Sequence, residues 1–130
     1  MRANGAPESS ITFAISQREL DRRTRVLAVE GELDLASAPR LKWALSDVLG
    51  AGYSQVVLDL AGVTFIDSTA LGVLIGVQRR RDVPARLGIV CVHPNVLRIF
   101  ELSGLDGMFD IFSTFDAALA YARGSATATA

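Results

Sequence analysis

Apolar positions along this chain switch between a spacing of two and a spacing of three or four, and each switch marks a new element. Ile11, Phe13 and Ile15 alternate with polar residues, the signature of a half-buried strand. A polar turn around Asp21 to Thr24 separates them from a second strand, Arg25 to Glu30, so the two are expected to form a hairpin. Ser37 and Pro39 then supply a helix start. Leu41, Leu45, Val48 and Leu49 share one face of that helix, and Gly50-Ala-Gly52 ends it. Trp43 lies nearly opposite the buried stripe. Packing against a neighbouring element is the favoured reading for it, and exposure is the other.

Gln55 to Leu60 is a short apolar run bounded by turn signals and reads as an interior strand. A helix follows from Asp67 to about Arg81. Leu87 to Val92 reads as another buried strand. Pro94 opens a third helix carrying Val96, Leu97, Phe100 and Leu102, and Gly104 stops it. Met108 to Phe112 make a last short strand. Phe115 to Ala122 make a last helix, begun by Ser113 or Thr114.

The order is β-β-α-β-α-β-α-β-α. Strands alternating with single helices imply parallel neighbours joined by right-handed crossovers. The expected fold is α/β: one domain over residues 11–122, with a small mixed, mostly parallel sheet of about five strands and about four helices. Residues 1–10 and 123–130, small and polar or alanine-rich, read as flexible tails.

This topology concentrates the strand-to-helix loops at the carboxyl edge of the sheet, where such folds place their sites. Three loops qualify: Gly31 to Ala36, Ala61 to Ser68, and His93 to Asn95. Asp34, Ser68 and His93 are therefore expected on one edge.

Composition narrows the chemistry. The 130 residues carry a formal net charge of −1, which gives no general pull toward nucleic acid or anionic membrane. No apolar run approaches the roughly 20 residues that span a bilayer, and no signal peptide is visible, so a cytoplasmic protein is expected. The single cysteine, Cys91, rules out an internal disulfide and reads as a small buried residue. Metal-ligand spacing is absent. The only histidine, His93, precedes a proline and reads first as a turn residue. Ser68 has no Gly-x-Ser-x-Gly elbow, and no phosphate-cradling glycine loop occurs. Neither an enzyme nor a cofactor is expected. Gly72 and Gly76, four apart on the second helix, are expected to permit close packing against the sheet.

The segment Phe65-Ile-Asp-Ser-Thr-Ala-Leu-Gly72 holds the remaining chemistry. Asp67 is a good N-cap acceptor, and Ser68 and Thr69 are tolerated in the first turn. Capping leaves the rest of the helix unexplained. Leu71, Leu74, Ile75 and Gln78 form one face, and Ala70, Val73 and Val77 carry the apolar surface around the cylinder. A helix apolar over that width is covered on more than one side or offers a partner something to bury.

Gly31-Glu-Leu-Asp34, Val57-Leu-Asp-Leu60, Phe65-Ile-Asp-Ser-Thr-Ala-Leu-Gly72 and Leu102-Ser-Gly-Leu105 together resemble the STAS domain of anti-sigma factor antagonists. The resemblance spans roughly Ile11 to Ala122. Ala70 departs from the glycine that many members carry there. The resemblance implies that Ser68, directly after the aspartate, is phosphorylated by an anti-sigma factor that is a serine kinase, with Thr69 as runner-up. It implies a partner switch. The unmodified protein binds the anti-sigma factor and frees a sigma factor for transcription, in the manner of stress-response regulators. The phosphorylated form lets go, and a phosphatase resets it.

The partner-contacting residues expected are Asp34, Asp67, Thr69, Gly72, Val73 and His93. For Asp34, capping the turn into the first helix is an equal reading. Helix N-terminal amides are expected to receive the phosphate without unfolding the domain. The penalty is expected at the interface, near Asp34 and Asp67. The rival function within the same family is a cytoplasmic accessory subunit of an ABC-type lipid-transport complex. A stressosome-like scaffold is a third reading.

Overall fold

The computed structural model describes residues 13–80 and 84–124. Its elements run β1 (Phe13–Asp21), β2 (Thr24–Leu33), α1 (Ala38–Gly50), β3 (Gln55–Ile66), α2 (Ser68–Gln78), β4 (Arg86–Val90), α3 (Pro94–Leu102), β5 (Asp110–Phe112) and α4 (Phe115–Ala122). This is the order expected. Ile11 and both tails lie outside the described residues, apart from Arg123 and Gly124.

The strands lie side by side in chain order. β1 and β2 are antiparallel and every later pair is parallel. The hairpin closes through Asp21, whose carboxylate accepts the Arg23 amide at 2.9 Å. From β2 onward the sheet grows by one strand in the same direction at each crossover. Right-handed connections then lay α1, α2 and α3 on one face. Alternate residues of the strands (Leu27 and Val29, Val56 and Leu58, Ile89) and Cys91 just past β4 meet Leu41, Leu45, Leu71, Leu74, Val96 and Phe100 there in one core. Burial of this many branched side chains, at about 1.5–3 kcal/mol each, is the main force holding the helices to the sheet.

The opposite face is served by α4. Val26, Val57 and Val90 pack against Ala118 and Ala122. Gly88 makes this approach possible, since a Cβ there would stand 2.5 Å from the Ala118 carbonyl oxygen. Thr114 caps α4 by accepting the Ala117 amide at 3.1 Å.

Four details differ from the sequence reading. β3 continues through residues 61–66, which read as loop. Two register shifts against β2, between Ala28 and Glu30 and between Gly31 and Glu32, put extra residues on β3. Ala61-Gly62 punctuates like a turn, yet Gly62 is there because a Cβ would fall 2.7 Å from the Glu30 Cβ. Gly31, the next residue on β2 and the partner of Val63, has φ +99°, a conformation that favours glycine.

Trp43 does not pack on a neighbour; it is 71 % exposed. α1 is the outermost layer at that point, and nothing lies beyond it among the described residues. Gly72 and Gly76 face away from the sheet, and a Cβ at either would meet nothing within 4 Å. Finally, α2 stops at Gln78, with Arg79 as its C-cap. Arg81, read as its end, lies outside the described residues.

Candidate functional site at the carboxyl edge

β2 and β3 outrun the rest of the sheet. Val90, the last residue of β4, is level with Asp59, whereas β3 continues to Ile66, paired with Leu33 of β2. The overhang runs five residues along β2, from Ala28 to Leu33, or roughly 15 Å. Leu33 and Ile66 end this two-stranded ribbon as a matched pair. The next residue on each strand is an aspartate, Asp34 and Asp67.

Each aspartate orders the chain behind it. The Asp34 carboxylate accepts the amides of Ala36 at 3.0 Å and Ser37 at 3.1 Å, and lies 3.2 Å from the Ser37 hydroxyl. Ser37, the helix-start residue, is buried. Its Oγ accepts the Asp34 amide at 2.9 Å and donates to the Glu32 carbonyl at 2.8 Å. Its hydroxyl therefore braces the turn instead of capping α1. Of the two readings open for Asp34, the turn into α1 is the one whose bonds are present.

Asp67 sits in extended conformation at the N-cap of α2. Its Oδ1 accepts the amides of Thr69 at 2.9 Å and Ala70 at 3.1 Å. Its own amide donates to the Leu33 carbonyl at 3.0 Å. Ala70 is fully buried beneath, while Ser68 and Thr69 are exposed. The result is a pair of hydroxyls on the water side of a helix entrance, with two carboxylates tethered by backbone bonds beside them. Neither carboxylate forms an ion pair among the described residues. Of the α2 amides expected to receive an added phosphate, those of Thr69 and Ala70 are held by Asp67 in the unmodified chain.

Gly72 is exposed and Val73 half-buried, one turn further along α2. They open onto a groove of about 510 Å³ between α1 and α2, lined also by Lys42, Ser46, Thr69 and Gly76. His93 is set back from the ribbon tip, where β4 ends. It is the N-cap of α3, with Nδ1 accepting the Asn95 amide at 3.2 Å. The carboxyl edge thus unites Asp34, Asp67, Ser68 and Thr69, while His93 serves the start of a different helix.

Sequence reasoning missed two exposed apolar side chains at this tip. Leu35, directly after Asp34, is 72 % exposed, and Phe65, two residues before Asp67, is 48 % exposed. A large apolar residue in the middle of a polar loop was the signal available for Leu35. Phe65 was hidden by the reading of residues 61–66 as loop.

The site has no metal-binding set: among the described residues no three His, Cys, Asp or Glu side chains gather as ligands. No described helix is long and apolar enough to cross a membrane. Such an arrangement offers a hydroxyl, an acidic frame and apolar contact area to another protein.

Comparison with known proteins agrees with the geometry. The STAS domain model matches residues 16–118. The anti-sigma-F factor antagonist RsfB of Mycobacterium tuberculosis is 33 % identical over 119 residues, covering 92 % of this chain and 94 % of its own. The anti-sigma-B factor antagonist of Listeria monocytogenes is 30 % identical over 103 residues, covering 78 % of this chain and 89 % of its own. Among solved structures, an anti-sigma factor antagonist from Mycobacterium paratuberculosis superposes with TM-score 0.76 at 29 % identity, over 92 % of this chain and 99 % of that one.

Proposed function

The chain belongs to the STAS domain family, and from that premise we propose that it is an anti-sigma factor antagonist switched by phosphorylation of Ser68. In its unmodified form it binds an anti-sigma factor that is a serine kinase, so that a sigma factor is released. Phosphorylation by that kinase ends the binding, and a phosphoserine phosphatase restores it. The protein is a binding partner in this cycle and not an enzyme.

The observation that carries this reading is the position of Ser68. Its side chain is exposed at the start of α2, at the tip of the protruding β2–β3 ribbon, where a kinase can reach it. Thr69 is exposed as well, which keeps it as the runner-up. The partner's footprint takes in Asp34, Asp67, Thr69, Gly72 and Val73, and we add Leu35 and Phe65 as its apolar contacts. His93 takes part only if the partner extends back along the edge to the start of α3.

Release follows from electrostatics. A phosphoryl group brings a charge of about −1.5 to −2 at neutral pH. In a docked complex it would be desolvated between Asp34 and Asp67, whose carboxylates are held in place by backbone bonds. A loss of about 3 kcal/mol weakens binding more than a hundredfold, enough for a switch without a large change of shape.

The test is to mix the protein with anti-sigma factor kinases and ATP and to map the modified peptide by mass. Label on Ser68, with Ser68→Ala binding the kinase whether or not ATP is present, supports the switch. Label on Thr69 moves the site by one residue. Co-purification with an ABC-type ATPase in place of a kinase supports the transport role instead.

A further inference from the structure

We propose that the α1–α2 face is a second contact of the same partner, anchored by Trp43, and that the element it receives is acidic. This rests on the partner-switch reading above and extends its footprint from the ribbon tip onto α1.

α1 and α2 both start at the carboxyl edge and run away from it side by side. Trp43 and Val73 each lie five residues into their helices, so both stand about 7 Å from the edge that carries Ser68. Between the helices lies the groove of about 510 Å³. Thr69 at its upper end is the immediate neighbour of Ser68, so the groove continues the site without a break.

The walls say what fits. Gly72, Gly76 and Ser46 carry little or no side chain, which lets another backbone approach closely. Among the described residues, Lys42 and Arg80 are the charged ones lining the groove, and no carboxylate does. Lys42 forms no ion pair among the described residues. An occupant with carboxylates would pair with Lys42, whereas a basic one would be repelled. Trp43, on the outer side of α1, is 71 % exposed. A tryptophan left in water has no role in this fold, and tryptophan is among the side chains most enriched where binding energy concentrates. The acidic ribbon tip and the basic groove give the partner two contacts of opposite sign, which fixes its orientation as well as its affinity.

The chain contains a single tryptophan, so its fluorescence reports this face alone. The purified anti-sigma factor kinases of the source organism are titrated into the protein one by one, without ATP. Expected on binding are a blue shift of Trp43 emission and, for Trp43→Ala, a roughly thirtyfold weaker Kd. Lys42→Glu should weaken the same complex about tenfold. Both substitutions are on the surface, and unchanged melting curves check that the variants fold. A kinase that binds the wild type and phosphorylates Ser68, yet leaves the emission unmoved and binds Trp43→Ala equally well, overturns the inference while sparing the switch. An emission shift that grows with the concentration of this chain alone assigns the face to a second copy and also overturns it. If no kinase binds the wild type at all, the switch reading fails and takes this contact with it.

Discussion

The amide of Asp67 donates to the carbonyl of Leu33 at 3.0 Å, so the helix that presents Ser68 is fastened to the strand that ends at Asp34. Through this bond and the Leu33–Ile66 pairing, two segments more than thirty residues apart form one rigid tip. The same residue caps α2 through its side chain. Asp67→Ala should therefore cost about 1 kcal/mol of stability, seen as a fall of roughly 3–5 °C in Tm. Asp67→Asn keeps an oxygen acceptor for the Thr69 and Ala70 amides and should lose less. Equal losses in the two variants would mean that charge at the helix start, and not the cap geometry, sets the contribution.

That cap also alters what a phosphate on Ser68 does to its own domain. The Thr69 and Ala70 amides are already held by Asp67, so a phosphoryl group gains little from them and sits beside a fixed carboxylate. Phosphorylation should lower Tm by a few degrees at low salt instead of raising it. The loss should shrink in high salt, where exposed charges are screened, and in Asp67→Asn. A phosphorylated sample that melts above the unmodified one at every salt concentration would show that the phosphate displaces the cap.

The order of elements was legible because each change of apolar spacing coincides with a chemical stop: Gly50-Ala-Gly52, Pro94 or Gly104. What the sequence concealed were places where one residue type answers to two causes. Gly62 reads as turn punctuation, yet it serves a bulged strand passing close to Glu30. Gly72 and Gly76 read as helix-to-sheet contacts, yet the buried side of α2 is Ala70, Leu71 and Leu74. The apolar breadth of α2 leaves two readings open in the sequence, cover on more than one side or a surface for a partner, and Val73, Ile75 and Val77 turn out half-buried against the core. Asp34 and Ser68 are singled out in the sequence by their motifs. That they meet at a protruding tip depends on strand register, which no local pattern records.

The glycines separate packing from recognition. Gly88→Ala drives a methyl into the Ala118 carbonyl and should destabilise the domain by about 2 kcal/mol or more through displacement of α4. Gly72→Ala meets nothing within 4 Å and lies in a helix interior, so it should raise stability by about 0.4–1 kcal/mol. Binding should move the other way, because the added methyl stands on the surface assigned to the partner. Urea unfolding measures the first pair of effects, and titration with the kinase measures the last. A Gly72→Ala protein that is both more stable and an unimpaired binder removes α2 from the interface.

Alkaline pH probes the core beneath the site. Burial raises the Cys91 thiol from its ordinary value of 9.0 to about 11, outweighing a backbone hydrogen bond involving His93 that lowers it. The unfolded chain ionises this thiol first, so the stability it lends is complete below pH 9.0 and is lost as pH rises through about 11. Tyr121, raised by burial and by its hydrogen bond to Asp110, adds a loss of the same sign. Chemical unfolding followed from pH 8 to pH 11 should show falling stability, with a shallower slope in Cys91→Ala that keeps a residue from Tyr121. A thiol-specific chromogenic reagent at pH 8 should label Cys91 only as fast as the protein opens, since its side chain is buried between β4 and the helices. Prompt labelling of the native protein, at the rate of an exposed thiol, would mean that the Cys91 region opens far more readily than the rest of the core.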